Sequence, residues 1–116
     1  MRKYSSRLFI NRTIIGGVAL ASVIFGVSSA DDTSNVLQIR QTFDPGSLEV
    51  AAGASVNFVN ADDVNHNLQS IAPGGEKTDH GIEKPGESTS IVFVAPGVYS
   101  IVCAIHPRMK MKVTVK

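Results

Sequence analysis

The sequence predicts an all-β domain, a Greek-key antiparallel β-sandwich of seven or eight short strands. Three observations lead there. Apolar and polar residues alternate with a period of two over several short runs. Gly, Pro, Asn and Asp break the chain at intervals of about 6 to 12 residues. Beyond the first thirty residues, no stretch of ten or more carries the 3.6-residue apolar spacing of an amphipathic helix, and no internal repeat or low-complexity tract occurs.

The elements follow in order. After a polar leader at Asp31–Asn35, Val36–Arg40 and Ser47–Val50 read as short strands separated by the turn Asp44-Pro45-Gly46. Ala52-Gly53-Ala54 turns the chain into Ser55–Asn60, where Val56 and Phe58 share a face. His66–Ser70 is a further short strand. Ile71–Glu87 is polar and rich in Gly and Pro, and reads as a long connection with at most a minor strand inside it. Ser88–Val94 places Ile91 and Phe93 together. After Ala95-Pro96-Gly97, Val98–Cys103 sets Tyr99, Ile101 and Cys103 on one side. Lys110–Lys116 alternates strictly: Met111, Val113 and Val115 face one way, and Lys110, Lys112, Thr114 and Lys116 the other. Without tryptophan, the bulky core falls to Phe43, Phe58, Phe93 and Tyr99.

The chain has 116 residues. Its first thirty read as an export signal. Arg2, Lys3, Arg7 and Arg12 form a basic start, Thr13–Val27 is apolar and uncharged, and Ser28-Ser29-Ala30 offers the small residues a signal peptidase reads. Cleavage after Ala30 gives a domain over residues 31–116. Retention as an anchor is the alternative, for which the apolar run is short against the about 20 residues of a span. Residues 31–116 keep seven Lys and Arg against ten Asp and Glu. That mildly acidic balance argues against nucleic-acid binding, and nothing after the leader calls for membrane insertion. With a single cysteine, no disulfide forms within the chain, and an exported domain with one thiol raises the options of burial, pairing with another chain, or metal binding.

Metal binding is favoured by the run Cys103-Ala104-Ile105-His106-Pro107-Arg108-Met109. Thiolate, imidazole and thioether are donors that together favour copper. Cys103 ends one strand and Met109 begins the next, so the run is a tight connection at one end of the sandwich. His66 starts a strand after Ala61-Asp62-Asp63-Val64 and is placed to reach the same end. Two imidazoles, one thiolate and a distant thioether make the donor set of electron-transfer copper sites.

Several segments resemble the small blue-copper proteins, the cupredoxins, most closely the amicyanin and pseudoazurin group. They are Val56–Asn60, His66-Asn67, Phe93–Tyr99 and Cys103–Met109, and the resemblance spans roughly Phe43 to Lys116. It implies one type 1 copper ion held by His66, Cys103, His106 and Met109, with Asn67 supporting the ligand loop from behind. It implies a periplasmic electron carrier rather than an enzyme. Such a carrier is a monomer that meets a redox partner such as a cytochrome c, a dehydrogenase or a reductase. The partly exposed His106 would be the electron port, ringed by Ala104, Ile105, Pro107, Val64 and Pro73. Ile105 and Asn65 stand where the family often has proline, and Met111 where it often has glycine. Met111 also matches the longer pseudoazurin spacing and so competes with Met109. Its alternation with Val113 and Val115 argues for the core instead.

A second reading keeps the ligands and changes the role, to copper storage, delivery or resistance without electron transfer. Multicopper enzymes need further histidine-rich sites, and the chain has three histidines. Zinc hydrolysis lacks an evident general base. His80, Asp31-Asp32 and Asp62-Asp63 read as solvated. The Lys110, Lys112 and Lys116 stripe is an outer strand face that can also steer an acidic partner.

Overall fold

Alternation divides the strands into an inward and an outward row, and two sheets close over the inward rows. The computed structural model describes residues 33–116. The signal expected over residues 1–30 lies outside the described residues. Among the described residues nine strands run in order: β1 (Thr33–Ile39), β2 (Thr42–Asp44), β3 (Ser47–Val50), β4 (Ala54–Asn60), β5 (His66–Ile71), β6 (Lys77–Glu83), β7 (Ser88–Phe93), β8 (Gly97–Cys103) and β9 (His106–Val115). One sheet has the order β2-β1-β4-β7 and the other β3-β9-β8-β5-β6. The chain crosses between them five times, at β2–β3, β3–β4, β4–β5, β6–β7 and β7–β8.

The core forms where the inward rows meet. Val56 and Phe58 of β4, Leu68 of β5, Ile101 of β8 and Val113 of β9 are fully buried. Phe43 meets Phe58 edge to face with centroids 6.2 Å apart, and Phe93 meets Tyr99 likewise at 5.0 Å. Tyr99 is only half-buried: its ring packs on the core while its hydroxyl donates to the Ala95 carbonyl at 2.9 Å.

The expected β-sandwich is thus the fold, with two differences of detail. There are nine strands rather than seven or eight, because β2 and β6 are added. β2 is too short to show a period. β6 is a sheet edge, and of its seven residues only Glu83 is fully buried. Edge strands tolerate polar sequence, so the hydrophobic signal is missing. The sheets are also mixed rather than purely antiparallel, since β1 pairs with β4 and β3 with β9 in parallel. Alternation fixes which face a residue takes, not which way its neighbour runs.

A buried polar layer positions the segment that leads to His66. The Gln38 side-chain amide donates to Glu83 Oε1 at 2.6 Å. Asn60 Nδ2 donates to the carbonyls of Val64 and Glu83, each at 2.9 Å, and Asn60 Oδ1 accepts the Asp62 amide at 2.9 Å. Asn60 uses both ends of its buried side-chain amide on this segment, so it pins the loop rather than merely touching it.

Candidate metal centre

Three adjacent strands, β9, β8 and β5, bring the predicted donors to one end of the five-stranded sheet. Cys103 is the last residue of β8 and pairs with both Leu68 of β5 and His106 of β9. Only Ala104 and Ile105 separate Cys103 from His106. The Ala104 amide donates to the Asn67 carbonyl at 3.0 Å, which fastens the hairpin tip to β5. His66 opens β5 with its side chain fully buried. His106 is half-buried and flanked by exposed Ile105 and Pro107. Met109 lies inward on β9 and is 1% exposed.

His66 Nδ1 and His106 Nδ1 are 3.1 Å apart. Cys103 Sγ is 3.4 Å from His106 Nδ1 and 3.8 Å from His66 Nδ1. Bonds of about 2.0 Å to nitrogen and about 2.3 Å to sulfur would span a triangle of this size around one first-row ion. The donors therefore fit a single metal. With a thiolate, two imidazoles and no carboxylate among them, they favour a borderline or soft ion. The Asn67 amide donates to Cys103 Sγ at 3.3 Å, a bond that stabilises negative charge on sulfur.

A further residue stands behind His66. Asp62 Oδ1 accepts the Arg40 amide at 2.7 Å, and Oδ2 accepts the Gln41 amide at 2.8 Å. His66 Nε2 donates to the same Oδ2 at 2.9 Å. Burial alone would raise the Asp62 pKa, but the two amides and the His66 ring outweigh it and hold the carboxyl below its usual 3.8. An ionised carboxylate has no proton to give, so the proton of this bond sits on His66 Nε2, which leaves Nδ1, the nitrogen that faces Cys103 and His106, as the one available to a metal.

The plastocyanin/azurin family of copper-binding proteins matches residues 33–116, which covers the whole described domain. The chain is a cupredoxin. Amicyanin-alpha of Methylorubrum extorquens is 31% identical to this cupredoxin over 99 residues, which is 83% of either chain. The chloroplast plastocyanin of Physcomitrium patens is 38% identical over 78 residues, 60% of this chain and 46% of its own. Among solved structures, a purple cupredoxin from Nitrosopumilus maritimus aligns with TM-score 0.64 and 28% identity, covering 72% of this chain and 99% of its own. The Cu(I) form of an amicyanin variant aligns with TM-score 0.68 and 27% identity, covering 76% and 86%. Copper is the cofactor of this cupredoxin, and electron transfer at a type 1 site is, in general terms, the role that family membership carries.

The sequence-predicted positions divide as follows. His66, Cys103 and His106 converge. Asn67 touches the centre through its main chain, while its side chain turns to β6 and donates to Asp79 Oδ1 and the Gly81 carbonyl, each at 2.9 Å. The Asn67 side-chain amide, with the main-chain amide of Gly81, holds the Asp79 carboxyl below its ordinary value. Asp62 was expected to be solvated and is instead bonded to His66, whereas Asp63 is exposed as expected. Its signal in the sequence was faint: an acidic residue four before a histidine, in a loop without periodicity. Pro73 does not border His106. It packs at the opposite end of the sheet against Gly97, where any side chain would collide with its ring.

His80 was likewise expected to be solvated and is half-buried, with Nε2 2.8 Å from Ser70 Oγ. Burial lowers its pKa below the usual 6.5, against the raising effect of Asp79 and Glu83. The unfolded chain therefore takes up this proton first as the pH falls. The His80 contribution to stability is complete above about pH 6.5 and is lost as the pH drops through the lower folded value. His80→Gln should flatten the fall in stability of the apoprotein between about pH 7 and pH 5, followed by urea denaturation. An unchanged slope would refute this.

Proposed function

We propose that this cupredoxin is an exported, monomeric one-electron carrier of the periplasm, with residues 1–30 as its cleaved signal and 31–116 as the working domain. One observation carries the reading: Nδ1 of His66, Sγ of Cys103 and Nδ1 of His106 lie within 4.8 Å of one another at one end of a β-sandwich. These three residues are the strong ligands, and Met109 is the weak fourth. Met109 is the inward position of β9 nearest the hairpin. Met111 lies two residues further along, opposite Ile101, which is about 6–7 Å more distant at strand rise. Copper bound there supplies reversible one-electron chemistry between Cu(I) and Cu(II).

The remaining work belongs to the chain. Cys103 is buried, so its sulfur is shielded from solvent, and the Asn67 amide stabilises its charge. The Asn67 carbonyl holds the hairpin tip, and its side chain anchors that strand to β6, so Asn67 supports the ligands from behind. His106 reaches toward solvent between Ile105 and Pro107, and its ring is the route for the electron. Exposed Ala104, Ile105, Pro107 and Val64 give a small apolar rim. Such a rim suits brief docking with a cytochrome c, a dehydrogenase or a reductase, at the low end of interface sizes.

Copper addition tests the reading. The oxidised, loaded protein should show an intense visible absorption band and a reversible one-electron wave at an electrode while keeping its metal. Copper uptake without the band would overturn the site. Transfer of the copper to an acceptor, with no reversible wave, would assign storage or delivery instead.

A further inference from the structure

We propose that Asp62 is a positioning residue that tunes the copper potential through His66. The inference rests on the ligand set proposed above and goes beyond it, because it adds a charged group outside the donors. The geometry is specific. Both Asp62 oxygens accept main-chain amides, from Arg40 and Gln41, so the carboxylate acts as an acceptor throughout. The third bond, from His66 Nε2 at 2.9 Å, then requires that ring to be the donor. His66 is fully buried and the Asp62 side chain is 10% exposed, so little water screens the pair.

Three effects follow from this arrangement. In the neutral ring that binds a metal the His66 tautomer is fixed, with the proton on Nε2 and Nδ1 directed at the Cys103 and His106 donors. The ring is held in orientation by an anion that is itself fastened at two points. Its Nδ1 is also a stronger donor than a ring bonded to a neutral carbonyl, because the carboxylate draws the Nε2 proton away and pushes electron density onto the ring. A stronger nitrogen donor and a nearby negative charge both favour the more highly charged ion. The Asp62 carboxylate therefore biases the centre toward Cu(II) and lowers its potential. Among the described residues no carboxylate bonds to the His106 ring, so the two imidazoles are unequal donors.

Asp62→Asn tests this in the copper-loaded protein. The amide keeps the size and one acceptor oxygen, and removes the charge. Preference for Cu(II) over Cu(I) should fall about tenfold, toward the lower end of what outer-shell changes cost, and the potential should rise by about 59 mV. A purely structural Asp62 would lower the unfolding midpoint and leave the potential where it was. A folded, blue Asp62→Asn protein with an unchanged potential overturns the proposal. Should the variant fail to fold, the Cu(I) wild-type protein decides by nitrogen-15 NMR. A slowly exchanging Nε2 proton on His66 supports the bond, and its absence overturns the proposal. A wild-type protein that binds copper with no intense band would overturn the carrier reading as well, whereas a blue wild type beside an unmoved variant overturns this inference alone.

Discussion

Cys103→Ser is expected to abolish the intense visible band of the copper-loaded protein while leaving the β-sandwich folded. The thiolate is the one soft anionic donor of the set, and the band arises from charge moving between sulfur and copper. A serine hydroxyl is a neutral, hard donor at this pH and supplies neither. The position is 3% exposed and packed against the core, so serine also leaves a small polar group under the Asn67 amide, which still finds an acceptor. The fold should therefore survive. Removing a donor outright should cost more than the about 10–100-fold in copper affinity that outer-shell changes bring. Absorption spectroscopy and competition with a copper chelator give both readings. A retained band in the serine protein would remove Cys103 from the site.

Phe58→Ala should have the largest effect on stability. Phe58 is fully buried at the centre of β4, edge-on to Phe43. Truncation of a phenylalanine in such a place costs about 3–5 kcal/mol through lost burial and an unfilled cavity. A domain is stable by only about 5–15 kcal/mol in total. The apoprotein should lose a large share of its stability, seen as a marked fall in the urea midpoint with little change in slope. A loss below about 1 kcal/mol would be incompatible with a packed position.

Much of the fold was legible because its central strands obey a simple rule. Ser55–Asn60 and Lys110–Lys116 each bury one side, and a period of two is visible without knowledge of neighbours. The edges were not legible. β6 carries a polar sequence since it covers little core, and its contribution depends on Asn67 and Ser70 from the strand beside it. The parallel pairings of β1 and β3 were hidden for a different reason, as strand direction leaves no mark in alternation.

The site divides the same way. Cys103, His106 and Met109 lie within one hairpin, so spacing alone reports their proximity. His66 could be inferred because it opens a strand. Parity does not separate Met109 from Met111, for both face inward on β9, and only distance from the hairpin distinguishes them. Asp62 was hidden because its role depends on a turn of β1 and β2 more than twenty positions earlier in the chain.

That turn has a consequence of its own. Arg40 and Gln41 join β1 to β2 with φ of 51° and 57°, the left-handed region in which hairpins usually place Asn-Gly. Side chains with a β-carbon adopt it at a penalty of about 1–2 kcal/mol each. Here both strained amides end on one anion, and that anion also grips the buried imidazole. The two leaves of the sandwich are thereby stapled at the pole where the ligands gather, by a clasp that includes the most awkward backbone in the domain. Relaxing the turn to Asn-Gly would ease the chain locally while leaving the clasp itself in place, so comfort of the turn and grip on the imidazole are separable properties that an engineer could adjust one at a time.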